Sequence, residues 1–458
     1  WLPTMILRQK TVAQARQIDL ERIYDAVIVG AGISGLTAAG HLVRNGFQPL
    51  ILEAEKEPGG RVRTIIQDGY HLDLGFQVFL TAYPEAMRQL DYARLDLCPF
   101  QSGALVHYNQ AFTRIADPFR EPTALFSTLI SDIAPMADKL RIAYLRQKLM
   151  NMPVDEIFRQ PERTIKKALS DYGFSNRIID RFFRPFFFVI HLDASLAGSG
   201  RMFDFVFKMM SEGYVAIPRL GMGMISRQLA DKLPAESIAY NTRVQSIEAD
   251  KTSFESQNCL TVLLEGGARL KSRSVVIATE GTEAHRLLPR IEKPKTRTVT
   301  CLYFSAPSAP TPEPMLILNG NLSESEGKET FINNLAVMTN VSRALAPKDK
   351  HLLSVTVLRD YAGADLPELV KKELKEWFGP ECDKYEHLRT FRIERALPDQ
   401  APPWLDNPRR SVSVDDGSKT VYVCGDHRDN ASINGAMVSG RRTAEQILKD
   451  LKVPISKA

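Results

Sequence analysis

The chain has 458 residues, and its 59 basic and 54 acidic side chains leave a net charge of only +5. So small an imbalance, with no basic run interleaved with aromatics, argues against nucleic-acid binding. No apolar stretch approaches the roughly 18 residues of a membrane span, and the five cysteines form no C-x-x-C pair typical of a zinc site or a disulfide framework. This length exceeds one ordinary core, so we expect two domains, no metal, no secretory signal and a cytoplasmic location.

The first predicted unit is a strand, a glycine turn, a helix and a second strand. AVIVG predicts a buried strand, SGLTAAGHLVRNG a helix that stops at Asn-Gly, and PLILE a second strand. Gly30, Gly32 and Gly35 have the G-x-G-x-x-G spacing, which permits a tight turn, close approach of a pyrophosphate and close helix–strand packing. Glu53, at the end of the second strand, is placed to accept both ribose hydroxyls of an adenosine. The unit predicts a dinucleotide site but does not separate NAD from FAD.

A second glycine pair follows the acidic strand end. In EAEKEPGGRVRT, Gly60 and Arg61 predict another loop that faces phosphate. Arg61 is predicted to pair with the diphosphate or to shield its charge. In this position the loop resembles the extended fingerprint of FAD-dependent amine oxidases, phytoene desaturases and protoporphyrinogen oxidases.

Further segments resemble the same family, in the family's order. They are YHLDLGFQVF, PRLGMGMISRQLADKL, NTRVQSIEAD, SVVIATEGTEAHRLLP and VYVCGDHRDNASINGAMVSGRRTAEQIL. The resemblance implies FAD as the cofactor. It also implies that the backbone of Val244 meets the adenine and that Gly425 and Asp426 meet the ribityl chain and the diphosphate.

The last of these segments has a physical interpretation of its own. It predicts a buried strand, VYVCGD, and a helix that begins with small residues, where a planar ring must come close. The dipole of that helix would stabilise negative charge on the N1–C2=O edge of a reduced flavin. The resemblance places Asn434, Gly435 and Ala436 at this helix start, under the flavin pyrimidine.

The resemblance implies an α/β fold with a Rossmann-like FAD-binding domain and an inserted α+β substrate domain. The FAD-binding domain is of the glutathione reductase type and is discontinuous in sequence. We assign residues 1–24 to an N-terminal extension, 25–99, 215–291 and 405–452 to the FAD-binding domain, and 100–214 and 292–404 to the substrate domain. The active site is expected between the two domains.

The first insert contains the most aromatic stretch, IIDRFFRPFFFVIHLDASLAGSGRMFDFVFKMM. Two interpretations of the side chains between Phe182 and Met210 stay open. They form a helical core, or they form the wall of a tunnel for a long lipophilic substrate, with a lip that contacts a membrane. Nearby, PMADKLRIAYLRQKLMN predicts a helix with Leu140, Tyr144 and Leu145 on one apolar side.

No catalytic side chain stands out beside the predicted flavin. The sequence contains no H-E-x-x-H, P-loop or G-x-S-x-G motif. Arg428 is predicted either to hold the isoalloxazine or a substrate anion, or to be a solvated loop charge. Flavin-dependent hydride removal needs a positioned C–H group and an apolar pocket, so the flavin itself is expected to carry the chemistry.

The C-terminal motif bears on the branch of the family. Monoamine oxidase relatives usually carry an aromatic residue three positions before the Gly-Ala pair, where this chain has Ser432, and SINGAMVSG is more similar to carotenoid desaturases. We expect an FAD-dependent oxidoreductase that removes hydride from, or isomerises, a lipophilic substrate such as a polyene, an isoprenoid or a tetrapyrrole. The electrons would pass to a quinone or to oxygen. A flavin amine oxidase that forms imine and hydrogen peroxide, and a non-catalytic FAD-fold protein that binds a lipid or pigment, stay open as alternatives.

Overall fold

The structure, a computed structural model, describes residues 18–116, 133, 135–249, 259–322, 330–357, 363, 365–403, 411–413 and 420–452. Most of the predicted N-terminal extension, residues 1–17, and the predicted domain boundary at 404–405 lie outside the described residues. The last two residues of that extension form a strand, described below.

The helices are α1 Ile33–Arg44, α2 Pro84–Gln89, α3 Tyr92–Leu95, α4 Met136–Met150, α5 Val154–Arg159, α6 Ile165–Asp171, α7 Asn176–Ile178, α8 Arg184–His191, α9 Gly200–Glu212, α10 Gly223–Asp231, α11 Gly281–Leu287, α12 Met338–Val341, α13 Leu366–Phe378 and α14 Ile433–Asp450. Shorter helical turns lie at Ile179–Phe183, which is π-helical, and at Arg343–Leu345, Pro380–Lys384 and Asp426–Arg428. None of the helices within the described ranges combines the length and the apolar character needed to cross a bilayer.

The strands are β1 Ile23–Tyr24, β2 Val27–Val29, β3 Leu50–Leu52, β4 Thr64–Gln67, β5 Tyr70–Asp73, β6 Phe79–Leu80, β7 Leu97–Pro99, β8 Gly103–Tyr108, β9 Ala111–Ala116, β10 Val215–Pro218, β11 Ile238–Ala239, β12 Val244–Ala249, β13 Leu260–Leu264, β14 Arg269–Ser272, β15 Val275–Ile277, β16 Thr296–Ala306, β17 Leu316–Asn319, β18 Ile332–Val337, β19 His351–Val357, β20 Glu386–Pro398, β21 Ser411–Ser413 and β22 Thr420–Val423. They form two large sheets and three smaller ones within the described part of the chain.

The first large sheet has the order β11-β3-β2-β15-β22-β21 and is parallel except at β21. Its side chains alternate between two cores. Ile28 and Ile51 pack with residues of α1 and α14, whereas Val27 and Val29 pack with the smaller sheet β1-β14-β13-β12. Because both faces are covered, its central strands are apolar without interruption.

The second large sheet has the order β20-β16-β19-β18-β17-β8-β9. The two inserts both contribute to it, since β8 of the first insert pairs in parallel with β17 of the second. Its outer face packs against α13, with Leu302 and Val355 in that core. Its inner face carries Cys301 and Thr356, which pair across β16 and β19.

The helix predicted between residues 135 and 151 forms as α4, but of Leu140, Tyr144 and Leu145, which were predicted on its apolar side, only Leu145 is buried. Leu145 and Leu149 are fully buried, whereas Leu140 and Tyr144 are each 67% exposed. The helix packs near α9, and its buried side carries Leu145 and Leu149.

Candidate active site

A cavity of about 680 Å³ runs between the two large sheets. We call its two parts the nucleotide end and the apolar end. The nucleotide end is lined from segments 29–34, 52–62, 242–244, 278–283 and 425–426. The apolar end is lined from segments 74–83, 100–103 and 182–215 and by Val299, Leu316, Thr356 and Ile393. The predicted cofactor motifs and the aromatic stretch therefore face one continuous space.

The three glycines of the first motif have distinct surroundings. Gly30 has a φ of +107°, which a side chain rarely adopts. A Cβ on Gly35 would lie 2.1 Å from the carbonyl oxygen of Gly30, so only glycine lets α1 approach β2 this closely. A Cβ on Gly32 would meet no atom within 4 Å, and Gly32 lines the cavity. The space above Gly32 is thus open to a ligand.

The start of α1 fits a dinucleotide diphosphate. Gly32, Ile33 and Ser34 line the cavity at the N-terminus of this helix. The first N–H groups of a helix have no intrahelical partner, and the helix dipole adds positive potential there. An FAD diphosphate at this position would be bound by backbone groups.

Glu53 is a buried carboxylate at the end of β3, only 7% exposed, and it lines the cavity. Its Oε2 accepts the N–H of Ala31 at 2.7 Å and its Oε1 accepts the N–H of Glu55 at 2.9 Å. Two backbone donors thus hold the carboxylate in place. The remaining lone pairs fit the two ribose hydroxyls of an adenosine.

The second glycine loop packs directly on the first. The N–H of Gly59 donates to the carbonyl of Ala31 at 2.8 Å. Gly59 and Gly60 have φ values of +124° and +56°, and both line the cavity. The loop therefore extends the phosphate-facing surface that begins at Gly32.

Arg61 contacts a carboxylate of this chain. Its Nη2 lies 2.8 Å from Oδ1 of Asp426, and its Nη1 donates to the carbonyl of Ala396 at 2.8 Å. Burial alone would raise the pKa of Asp426, but the Arg61 guanidinium holds that pKa below its ordinary value. The predicted role of Arg61 toward the diphosphate remains a prediction. In the structure its guanidinium forms an ion pair with the Asp426 carboxylate.

Val244 starts β12, is buried and lines the cavity beside Thr242. The N–H of Thr242 donates to the carbonyl of Glu53 at 2.8 Å. This hydrogen bond ties the segment predicted to meet the adenine to the residue predicted to bind the ribose.

Gly425 and Asp426 follow β22. Gly425 has a φ of +152°, and a Cβ there would lie 2.5 Å from the ring of His427. Both residues line the cavity. The segment thus turns sharply and presents the Asp426 carboxylate to the nucleotide end.

The residues at the start of α14 have different positions relative to the cavity. Ser432 caps the helix, because its Oγ accepts the N–H of Gly435 at 2.9 Å. Ala436 lines the cavity, whereas Asn434 points away and its Oδ1 accepts the N–H of Glu85 at 2.9 Å. A Cβ on Gly435 would lie 2.1 Å from the carbonyl of Asn430. Asn434 and Gly435 therefore shape the helix start, and Ala436 with Ser432 faces the cavity.

Arg428 is partly buried in the turn after Asp426 and does not line the cavity. Its charge lowers the pKa of Cys424, although burial outweighs it and raises that pKa to about 12. The structure does not bring Arg428 to the surface of the predicted flavin pocket.

The aromatic stretch is both core and cavity wall, in different residues. Phe182, Phe183, Phe186, Phe187 and Phe207 line the apolar end, as do Met202 and Met210. Phe203, Phe205 and Met209 are fully buried and do not line it. The stretch therefore contributes to both the core and the cavity wall, and its role toward a lipophilic substrate or a membrane stays a prediction.

Tyr83 and Gln77 are among the polar residues of the cavity that sequence reasoning missed. Burial raises the pKa of Tyr83, while a hydrogen bond with Ser432 opposes the rise. Gln77 donates from Nε2 to the carbonyls of Arg61 and Leu74, at 2.8 and 2.9 Å. Gln77 stands within the YHLDLGFQVF segment and Tyr83 shortly after it, and neither has a spacing that marks it as functional.

Comparison with known proteins identifies the family. Residues 33–448 match the family described as flavin containing amine oxidoreductase. The chain is 23% identical over 405 residues to the chloroplastic prolycopene isomerase of Daucus carota, an alignment that covers 77% of this chain and 64% of that protein. It is 30% identical over 115 residues to protoporphyrinogen oxidase 2 of Arabidopsis thaliana, covering 25% of this chain and 22% of that protein. The chain thus spans less than two thirds of the length of these curated relatives.

A solved structure shares the fold. Cyclohexylamine oxidase from Brevibacterium oxydans IH-35A superimposes with a TM-score of 0.65 over 94% of this chain and 100% of that one, at 15% identity. The predicted Rossmann-like fold, the predicted cofactor FAD and the class of FAD-dependent oxidoreductases are confirmed at the level of the family. The chain belongs to the flavin containing amine oxidoreductase family.

Proposed function

We propose that the protein oxidises a lipophilic substrate, such as a polyene, an isoprenoid or a tetrapyrrole, and passes the electrons to a quinone or to oxygen, or that it isomerises such a substrate without net electron transfer. The observation that carries this proposal is the distribution of charge along the cavity. The charged side chains of its lining all belong to the nucleotide end: Glu53, Arg61, Arg243, Glu280, Glu283 and Asp426. Within the described residues no charged side chain lines the apolar end.

This distribution favours an uncharged substrate. An amine cation at the apolar end would lose its hydration without gaining a counter-ion from the described residues, which is costly. An apolar chain would instead gain about 0.8 kcal/mol for each CH₂ group removed from water. The aromatic wall formed by Phe182, Phe186 and their neighbours offers that burial.

The proposed division of labour follows the two ends of the cavity. FAD, when bound, supplies the electron acceptor for a two-electron oxidation. Glu53 would hold the adenosine ribose, and the N-terminus of α1 would hold the diphosphate. The N-terminus of α14, capped by Ser432, would favour negative charge at the pyrimidine edge. The apolar end would position a substrate C–H group and exclude water.

A peripheral membrane position would give such a substrate a source. Met136, Leu140 and Tyr144 are exposed at successive turns of α4, and the exposed Lys148 continues the row. Apolar side chains next to a cation fit the interface of an anionic bilayer. Helix α4 contacts α9, which carries the cavity residue Phe207. Co-sedimentation with vesicles that contain anionic lipid tests this position, with Leu140→Glu as the variant expected to lose binding.

The electron acceptor and the class of substrate are tested together. The FAD-loaded protein is reduced without air and mixed with oxygen or with a soluble quinone. Fast reoxidation by quinone and slow reoxidation by oxygen supports the proposal. Fast reoxidation by oxygen, together with release of hydrogen peroxide during turnover of a small amine, would replace it with an amine oxidase. FAD binding with no turnover of any lipophilic compound or amine would leave a binding protein.

A further inference from the structure

Three polar side chains meet behind the apolar end of the cavity, on the inner face of the second large sheet. Thr356, Asn334 and Asn333 form this group, which we call the Thr356 cluster. Thr356 is 2% exposed, and the two asparagines are fully buried. Thr356 also lines the cavity, so the cluster borders the space proposed for the substrate.

The hydrogen bonds within the cluster fix the orientation of both amides. Nδ2 of Asn333 donates to the carbonyl of Pro185 at 3.1 Å and to Oδ1 of Asn334 at 2.9 Å. Oδ1 of Asn333, Nδ2 of Asn334 and Oγ1 of Thr356 are then left without a hydrogen-bond partner among the described residues. Buried polar atoms are nearly always paired, so three unpaired ones in a single group indicate a partner outside the protein chain.

The three residues are neighbours in the sheet. Asn334 and Thr356 are opposite each other on β18 and β19, a pairing that places Cβ atoms about 5 Å apart. Asn333 reaches the carbonyl of Pro185 in α8, and the next residue, Phe186, is part of the cavity wall. Thr356 is the member of the cluster that lines the cavity, and Asn334 is its direct neighbour on the adjacent strand.

Another polar side chain at this end is already occupied. Nε2 of Gln77 donates to two backbone carbonyls, those of Arg61 and Leu74. In contrast to Gln77, the Thr356 cluster retains unpaired hydrogen-bonding atoms next to the cavity wall.

We propose that the Thr356 cluster is a subsite for a hydroxyl group on an otherwise apolar substrate chain, an inference that rests on the proposed function. A hydroxyl both donates and accepts, and the cluster offers the Asn333 acceptor, the Asn334 donor and a threonine hydroxyl that does either. A ketone or an ether would leave the Asn333 acceptor unpaired. A hydrocarbon would leave all three atoms unpaired, and sites built to hydrogen-bond a hydroxyl discriminate strongly against analogues that lack it.

The test compares two ligands of equal chain length, the isoprenoid alcohol farnesol and the hydrocarbon farnesene. Each is titrated into the FAD-loaded protein, and binding is followed by the change in flavin absorbance. Thr356→Val removes the hydroxyl with little change of shape. Thr300→Val is the matched control, because Thr300 is also 2% exposed and its Oγ1 also lacks a partner among the described residues. Thr300 pairs with Val357, which packs against α13, so it lies on the opposite face of the sheet.

The expected result is that the unmodified protein and Thr300→Val bind farnesol at least about tenfold more tightly than farnesene, which corresponds to about 1.4 kcal/mol. In Thr356→Val this ratio should fall close to one, with farnesene binding unchanged. Equal binding of the two ligands by the unmodified protein would contradict the proposed hydroxyl subsite and would indicate that ordered water pairs with the cluster. A ratio that survives in Thr356→Val would also overturn it. Failure to bind either ligand, with FAD in place, would contradict the proposed lipophilic substrate, and the subsite would fall with it.

Discussion

Arg61 and Asp426 form an ion pair of 2.8 Å that joins the second glycine loop to the segment after β22. The two residues come from opposite ends of the chain, and both line the nucleotide end of the cavity. Arg61 loses hydration through burial, but the Asp426 carboxylate outweighs this effect and raises the pKa of Arg61. The pair therefore stays charged and links two segments, distant in sequence, at the nucleotide end of the cavity.

The pairing predicts that Arg61 and Asp426 act as a unit in FAD binding. Arg61→Met and Asp426→Asn should each weaken FAD binding. The loss of binding free energy in the double variant should be smaller than the sum of the losses in the two single variants. We expect a coupling energy of about 1 to 2 kcal/mol, measured by FAD titration of the four proteins. Arg63→Met is the control, since Arg63 pairs with Glu55 and Glu57 and does not line the cavity. Strict additivity would mean that the pair has no joint role.

Glu53→Ala should weaken FAD binding by about 100-fold, because charged hydrogen bonds to two ribose hydroxyls contribute about 1.5 kcal/mol or more each. The FAD dissociation constant of the apoprotein gives the measurement. Glu55→Ala is a matched control, because the Glu55 side chain is 54% exposed and pairs with Arg63 at 3.4 Å. Unchanged affinity in Glu53→Ala would remove Glu53 from the ribose site.

The raised pKa of Asp73 predicts that the protein loses stability as the pH rises. Its buried carboxylate accepts hydrogen bonds from Thr64 and Met222, yet desolvation raises its pKa to about 7. In the unfolded chain the pKa is about 3.9, so between about pH 4 and pH 7 the folded state binds more protons than the unfolded state. The contribution of Asp73 to the free energy of unfolding is thus fully present below pH 4. It falls by up to about 1.4 kcal/mol per pH unit as the pH rises, and it is lost above pH 7.

Asp73→Asn should remove this part of the pH dependence and be more stable than the unmodified protein at pH 8. Urea unfolding at pH 5 and pH 8 measures the effect. Asp68→Asn, at an exposed turn, should keep the original slope. The same slope in Asp73→Asn would show that the Asp73 carboxyl is ionised in the folded protein throughout this range.

The split of the aromatic stretch predicts opposite phenotypes for two phenylalanines. Phe203→Ala should destabilise the protein by about 3 to 5 kcal/mol, since Phe203 is fully buried in the core. Phe186→Trp should leave the free energy of unfolding nearly unchanged, because Phe186 faces open cavity, but it should weaken binding of a lipophilic ligand. Thermal unfolding and ligand titration separate the two. Strong destabilisation by Phe186→Trp would place that residue in the core instead.

Local sequence patterns predicted the strand, helix and strand that carry the first glycine motif. The strand, turn and helix around Gly30, and the placement of Glu53 at a strand end, depend on neighbouring residues, so spacing alone determines them. The Arg61–Asp426 pair could not be predicted, because it depends on how distant segments come together. The exposure of Leu140 and Tyr144 on α4 was mispredicted for the same reason. Leu140 and Leu145 are both compatible with an amphipathic helix, and only the contact with α9 decides between them.

The most direct test of the central claim is the reductive half-reaction without oxygen. The FAD-loaded protein is mixed in separate experiments with a detergent-dispersed polyene, a porphyrinogen and a primary alkyl amine, and the flavin absorbance is followed. The account predicts that a lipophilic compound bleaches the flavin and that the amine does not. Bleaching by the amine alone would contradict it and would show that the apolar end accommodates a small amine.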